Sequence, residues 1–562
     1  METIVIRSED WLKNAGIIGL YRILEEEESD EKSSISLEED QIRFSAELLQ
    51  NFSEKYFRYF IKQYKNVLSL YRTLNFKENI SQFKEKNYEN FGKEDLEKLN
   101  EHVENVKKYL KSNSYRAMYP LIRCPFDPLE KEKELKKVHL RKKESIEDGI
   151  SDVKKLITHL EEIYDFLQQE DSQKYIGAKN VIYNIIKNAW DGISILNPQV
   201  KEQNMYFEFD KYFVQTTQEY LKQEKTKFKY RCFSCGESIK DTNIDLSFMN
   251  HIGFDVARKT SHVWNFNNYV HICPLCRLIY ACVPAGFTYL YDKGIFVNAN
   301  THLKEMLRIN DLIFKNVLGE KKDGKSIYGA LVSGMSKEMN EHVEYDLSDI
   351  QVVRLEKKRY TFSILSRKFL SIIKKCRTDL EYIRKSSFKE GNDIYYIYNE
   401  TIKRLMQGEN LFLLIHKLVR LKISNGEDCY YKMGTVGTII EINDIFLKEV
   451  GYMKDEKKEY NPLERARIIG HHLQEAYGGF EEGKYNKKLD GIAYRMLNAL
   501  KTNNKIAFMD SLINAHMYVQ KPIPSLFSDY LHQELAFKEL GYAFVTGMLG
   551  EEWKNEGNTS KN

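Results

Sequence analysis

The sequence predicts an α+β fold, predominantly helical, interrupted near its middle by a small cysteine-rich module. Three observations carry that expectation. Apolar residues recur at helical spacing over most of the chain. Residues 33–44 (SSISLEEDQIRF) instead alternate apolar and polar around a polar turn, the pattern of a short hairpin. Between about 226 and 300 the composition turns to cysteines, aromatics and turn formers.

In chain order, residues 8–24 (SEDWLKNAGIIGLYRIL) read as an apolar helix opened by a capping Ser8. An acidic connector, 25–31, leads into the hairpin. Residues 45–75 are helical and aromatic-rich, and 76–114 are strongly charged helix or loop. Residues 129–170 carry a thin apolar stripe, which predicts an exposed helix pair or arm. Residues 177–197 form a better buried helix. The expected division is an N-terminal, mainly helical domain with its hairpin (1–225), a zinc-ribbon-like insertion with short strands (226–300) and a helical region (301–425). A glycine-containing break at 426–437 then precedes a C-terminal helical bundle (438–550). The tail after Trp553 is polar.

The chain has 562 residues, 42% hydrophobic and 30% charged, which fits a soluble multidomain protein. The net charge of +3 is too small for a whole-molecule field, so any nucleic-acid contact must come from local patches. No apolar run approaches the roughly 18 residues of a membrane span. The opening METIVIRSEDWLKN has no signal-peptide core. The eight cysteines form two tight pairs and four singles, which fits a reducing cytoplasm with paired cysteines for metal and single ones for packing.

The pairs stand in KYRCFSCGES and YVHICPLCRL. Each has an apolar or aromatic lead-in followed by C-x-x-C, the knuckle geometry in which two thiolates reach one ion. Cys232, Cys235, Cys273 and Cys276 would complete a tetrahedral zinc site with no open position, so the ion would be structural. The spacer 236–272 is long and contains His251, His262 and His271, any of which could replace a thiolate. Cys124, Cys282, Cys376 and Cys429 read as core residues.

These pieces together resemble the CXXC–CXXC family of CRISPR-associated proteins, the large subunit of type I-B Cascade. The residues that carry the resemblance are WLKNAGIIGL at 11–20, the two cysteine pairs and HVWNFNNYVHICPLCRLIYACVPAGF at 262–287. To these are added AYRMLNALKTNNKIAFMDSLINAHMYVQKPIPSLF at 493–527 and FKELGYAFVTGMLG at 537–550. The resemblance implies a non-enzymatic subunit of a crRNA-guided surveillance complex in antiviral defence. Its partners would be crRNA, target double-stranded DNA with its displaced strand, other Cascade subunits, and a helicase–nuclease recruited in trans. It would help read the protospacer-adjacent motif while base pairing reads the target. The resemblance also implies that the C-terminal region is like the small subunit, which can be translated separately; Met433, Met453 and Met406 are the candidate starts, in that order.

A candidate nucleic-acid surface lies at 353–389, where twelve cations face three acids. It comprises Arg354, Lys357, Lys358, Arg359, Arg367, Lys368, Lys374, Lys375 and Arg377, with Arg384, Lys385 and Lys389 following, interleaved with Tyr360, Phe362, Phe369 and Tyr382. Cations would track phosphates and rings would stack on unpaired bases. The plainer alternative is a solvated helix face with its aromatics in the core. His262, Asn265, Asn267 and Asn268 could read base edges but fit turn formation better. A ribonuclease of the HEPN type is the enzymatic rival, through Arg467 and His472 in an R-x4-H spacing, although Ile468 replaces that family's usual polar residue. A zinc-ribbon scaffold without nucleic-acid contact is the third reading. Neither a G-x-x-x-x-G-K-[ST] loop nor a G-x-S-x-G elbow is present.

Overall fold

The opening residues form a strand, Thr3–Arg7, that the hairpin alternation did not announce. It pairs antiparallel with Gln41–Ser45, which pairs on its other side with Ile35–Leu37. Ile4, Ile6, Ile35, Leu37, Ile42 and Phe44 are all buried, as period-2 alternation requires of a half-buried sheet. The hairpin expected at 33–44 is therefore two of three strands. In this computed structural model the described residues are 3–25, 35–89, 91–140, 145–252, 270–290, 293–299, 302–319, 350–365, 367–454, 460–478, 480–481, 484–485 and 488–550.

The chain is mainly helical with small sheets, as expected, and divides into two compact units. The first holds residues 1–323 with 351–362, and the second holds 324–350 with 363–562. No helix among the described residues is long and apolar enough to cross a membrane.

In the first unit, the apolar helix is Trp11–Glu25. Its cap is Asp10, not Ser8: the Asp10 carboxylate accepts from the backbone N–H of Leu12 (2.7 Å) and Lys13 (3.0 Å). Ser8 is held instead by its own N–H donating to the Asp40 carbonyl. The region 129–170 is no exposed arm. Its helix Ile146–Gln168 buries Val153, Leu156, Ile157, Leu160, Ile163 and Tyr164 against a ring of shorter helices. Even a thin stripe is buried when several short neighbours close over it. A four-stranded sheet orders Thr288–Leu290, Lys293–Ala299, Ile350–Glu356 and Arg359–Leu365. The last two strands lie where helix was expected.

The second unit also holds strands inside expected helix. Ser387–Glu390 is flanked by Asp393–Tyr396 and Cys429–Tyr430. The expected break at 426–437 ends early, because Met433 begins the helix Met433–Val450. Pro462–Ala476, Lys488–Lys501, Lys505–Tyr518 and Glu534–Leu549 complete the helical packing around Phe508, Phe527, Phe537 and Phe544. Ile506, apolar and at helical spacing within the same bundle, is instead 76% exposed.

Candidate metal centre

The first cysteine pair sits on a minimal hairpin. Tyr230–Arg231 pairs antiparallel with Ser238–Ile239, and Cys232 and Cys235 lie in the turn between them. The Cys232 N–H donates to the Glu237 carbonyl (2.7 Å), and Gly236 N–H donates back to the Cys232 carbonyl (2.9 Å). Gly236 has φ of +73°, a left-handed conformation that a side chain would strain. That explains the glycine directly after the second thiol.

The second pair is built differently from the strand-led knuckle the sequence suggests. His271 makes an isolated bridge with Asp245, but Cys273 is then the N-cap of the helix Pro274–Ala281. Its sulfur accepts from the Cys276 N–H (3.3 Å), so Cys276 stands on the first helical turn. Pro274 occupies the first helical position, where a missing N–H costs nothing. The Cys273 N–H donates to the Cys232 sulfur (3.2 Å), tying the two halves together.

All four sulfurs lie within 4.8 Å of one another, and Cys235 and Cys273 are 3.7 Å apart. Tetrahedral M–S bonds of about 2.3 Å place sulfurs about 3.8 Å apart, so the cluster has the dimensions of one four-coordinate site. Three of the cysteines are buried and Cys235 is half-buried. The protonation pattern fits the same demand. Cys232 is pulled down by hydrogen bonding from Cys235, Cys273 and Cys276, whereas Cys273 and Cys276 are pushed up, first by Cys232. Four crowded thiols cannot all ionise without a cation among them. Cys232, Cys235, Cys273 and Cys276 could thus hold one metal ion, which binds and rigidifies rather than reacts, since four thiolates fill the coordination sphere.

The alternative ligands fall away or lie elsewhere. His251 is exposed and in a left-handed conformation, and His271 is outside the cysteine cluster. His262, Asn265, Asn267 and Asn268 lie outside the described residues. Cys282 is fully buried with its thiol pushed up by burial, Cys376 and Cys429 are buried, and Cys124 is half-buried.

The supports of the site were not anticipated. Lys13, only 1% exposed, donates its ammonium to the carbonyl of Ser234, between the first two cysteines (3.1 Å), and pairs with Glu9 (3.0 Å). Ser234 Oγ meets the buried Tyr280 hydroxyl (3.1 Å), and Thr217 donates to the Pro274 carbonyl (3.0 Å). Arg277 reaches the Tyr212 carbonyl (2.7 Å) across the Tyr212 ring. Gly19 lies so close to Cys282 that a Cβ would stand 2.0 Å from its carbonyl oxygen, and a Cβ on Gly286 would meet the Ala15 carbonyl at 2.0 Å. The available signal was a lysine and two glycines inside the apolar run WLKNAGIIGL.

Residues 225–288 match the model of a family of CRISPR-associated proteins, Cas_CXXC_CXXC. The match covers both cysteine pairs and the helix that carries the second. No curated protein and no solved structure matches the chain.

The basic run is divided between the two units. Arg354 is 3% exposed within its strand. Lys357 and Lys358 form the two-residue turn before Arg359, both with positive φ (49° and 58°), and all three are exposed. A double left-handed turn suits Asn-Gly, so two lysines there carry strain. These four residues belong to the first unit. The helix Arg367–Lys375 belongs to the second. There Lys368, Lys374 and Arg377 are exposed, Lys368 donates to the Val450 carbonyl (3.1 Å), and Lys375 pairs with Glu449. The Arg367 side chain lies outside the described residues. Of the rings, Tyr360 packs on Trp11 (4.9 Å) and Phe369 is buried, whereas Phe362 and Tyr382 are about half exposed.

Arg467 and His472 stand in different settings. The Arg467 guanidinium pairs with Glu441 beside Gly437. His472 lines a separate cavity of about 580 Å³ with His516 and Lys521, in which Arg467 takes no part.

Proposed function

We propose that this chain is a CRISPR-associated protein, the large subunit of a type I-B surveillance complex, acting by binding rather than catalysis. The observation that carries this reading is the family match centred on the four-cysteine cluster. It is supported by the direct packing of the WLKNAGIIGL helix on that cluster, because two of the motifs of the resemblance form one structural element. The ion is zinc, for which four thiolates make a closed structural site. The partners are crRNA, target DNA with its displaced strand, other Cascade subunits and a helicase–nuclease that supplies the cleavage. Exposed cations at Lys357–Arg359 and at Lys368, Lys374 and Arg377 meet phosphates, which position nucleic acid without reading its sequence.

The reading extends to a separately translated small subunit from the second unit. A start at Met433 keeps the whole helix Met433–Val450, and one at Met406 keeps the helix Phe412–Ser424 that packs on it. A start at Met453 removes both, taking two of its packing partners from Glu534–Leu549 and leaving it Pro462–Ala476 and Lys488–Lys501.

The test is expression of the chain from its native coding sequence with its genomic neighbours. Co-purification with a crRNA and repeated backbone subunits, about one zinc per full-length chain by the four-ligand count, and a C-terminal fragment beginning near Met433 or Met406 are expected. A chain that purifies alone, without RNA, overturns the assignment.

A further inference from the structure

The small sheet of the second unit presents a face whose chemistry the reading above does not use. Its middle strand is Ser387–Glu390, and Ser387 is directly opposite both Tyr396 and Tyr430 on the flanking strands. Side chains directly opposite one another share a sheet face, so these three form one row across three strands. With strands about 4.8 Å apart, the two tyrosines stand about 10 Å from each other across the small side chain of Ser387. The next residues on that face, Lys389 and Ile394, are also opposite each other.

The two faces differ in their large side chains, although Ser387 between the two tyrosines is itself only 8% exposed. On one, Phe388 is 1% exposed, stacks on Tyr395 at 5.4 Å, neighbours the buried Cys429 and is covered by Lys417 at 4.8 Å. On the other, Tyr396 is 39% exposed, Tyr430 55% and Ile394 57%. Large side chains on a short sheet are normally turned into the core, so three exposed ones on the same face are a distinct feature. Cations border that face. Lys385 and Lys432 are exposed just beyond the strand ends, and Lys389 lies on it. The acids of the hairpin, Glu390 and Asp393, are opposite each other on the other face, where Glu390 pairs with Lys417 (2.8 Å).

We propose that this face binds single-stranded nucleic acid, with unpaired bases stacked on Tyr396 and Tyr430 and the backbone running along Lys385, Lys389 and Lys432. The rings offer π-faces to bases of any identity, and the lysines supply charge complementary to a polyanion. A duplex hides its base faces and gains nothing from the tyrosines. A peptide would use the strand edges or Ile394 and would have no need of the bordering lysines. The proposal deepens the reading of the chain as a nucleic-acid-handling subunit, yet it stands on different residues from the run 354–377.

The test is fluorescence anisotropy of the full chain with labelled oligo-dT, oligo-U and a mixed-sequence DNA duplex. Tyr396→Ala and Tyr430→Ala should each weaken single-strand binding about five- to hundredfold, the range of one lost base stack. Tyr396→Phe and Tyr430→Phe keep the rings and should stay within about twofold of wild type by the same criterion. Duplex binding should be unchanged in all four. Removing Lys385 and Lys389 should lower the log–log salt slope for single strands by about 0.7 per lost contact. Oligo-dT and oligo-U distinguish a DNA from an RNA occupant, since only RNA carries the 2′-hydroxyl. The proposal is overturned if the Tyr396→Ala/Tyr430→Ala double variant, with an unchanged circular dichroism melt, binds single strands like wild type. It is equally overturned if wild type binds none, or if that variant loses a protein subunit while keeping its single-strand affinity. Failure here leaves co-purification with crRNA unaffected, so the two readings fail separately.

Discussion

The two units use the same packing device with different means of holding it. In each, two helices cross so closely that a glycine is needed at the contact. In the first unit these are Gly19 on Trp11–Glu25 and Gly286 on Val283–Gly286. In the second they are Gly470 on Pro462–Ala476 and Gly547 on Glu534–Leu549, where added Cβ atoms would meet backbone oxygens at 2.1 and 2.0 Å. The second unit's helices have 15 and 16 residues; Glu534–Leu549 is buried along most of its length, and Pro462–Ala476 meets it through Leu463, Ala466, Gly470 and Leu473. In the first unit Trp11–Glu25 also has 15 residues, but the segments it crosses, Pro274–Ala281 and Val283–Gly286, have eight and four. Segments that short do not hold themselves as helices. Cys273 and Cys276 begin the first of them and join it to a two-residue-strand hairpin. These segments are buried yet too short to persist as helices by themselves, and a metal held by the four cysteines would fix where they start.

The largest effect expected from this contrast is on metal removal. Cys273→Ser/Cys276→Ser should abolish metal binding and release hydrogen-exchange protection through 225–290 and along Trp11–Glu25. Structural zinc sites of this kind contribute on the order of 10 kcal/mol. Protection of Glu534–Leu549 should be unchanged. Equal loss in both units would break the comparison.

The glycines come next. Gly19→Ala and Gly547→Ala each force a side chain against backbone, which should cost about 3 kcal/mol or more. Gly19→Ala should also speed metal loss to a chelator, because its helix carries Lys13. Gly547→Ala should lower only the melting of the C-terminal unit and leave metal retention at the wild-type rate.

Proton linkage should have opposite signs at two buried groups, His102 in the first unit and Glu539 in the second. His102 lies buried against Phe76 (4.1 Å) and Tyr164, and burial lowers its pKa to about 4. As pH falls below the usual histidine value, the unfolded chain takes a proton that the folded one refuses. The first unit should therefore lose up to about 3 kcal/mol between pH 6.5 and 4. Glu539, 1% exposed and hydrogen-bonded by Asn443 (2.7 Å), is held well above the usual carboxylate range, by burial and then by Asp444. It keeps its proton as pH rises past the unfolded value, so the second unit should weaken towards alkaline pH. Glu539→Gln should flatten that slope. Urea unfolding at several pH values, read by pulse exchange at one fixed labelling pH, follows each unit separately. An unchanged slope in Glu539→Gln would contradict the assignment.

The smallest effect concerns Lys13. Lys13→Met leaves the Ser234 carbonyl without its buried donor, a loss of about 1–3 kcal/mol. Chelator-driven metal release should accelerate about tenfold by that measure, with Lys13→Arg intermediate and the C-terminal transition unmoved.

By itself the sequence determined the chemistry that is local. Cys232, Cys235, Cys273 and Cys276 were readable because a C-x-x-C turn places two thiols on one ion whatever surrounds it. The helix at 11–25 and the hairpin at 35–45 were readable because periodicity records which face is buried. Tertiary structure alone decided the rest. Residues 350–365 and 387–396 became strands because cross-strand partners far away in the chain, such as Cys429–Tyr430 for Ser387–Glu390, outweighed local helical spacing. The basic run 354–377 was divided between two units, with Arg354 turned inward, because charge density along a chain carries no information about the face a side chain takes. Lys13 beneath the knuckle, and Tyr396 and Tyr430 either side of Ser387, are brought together only by packing and strand register, which no spacing along the sequence encodes.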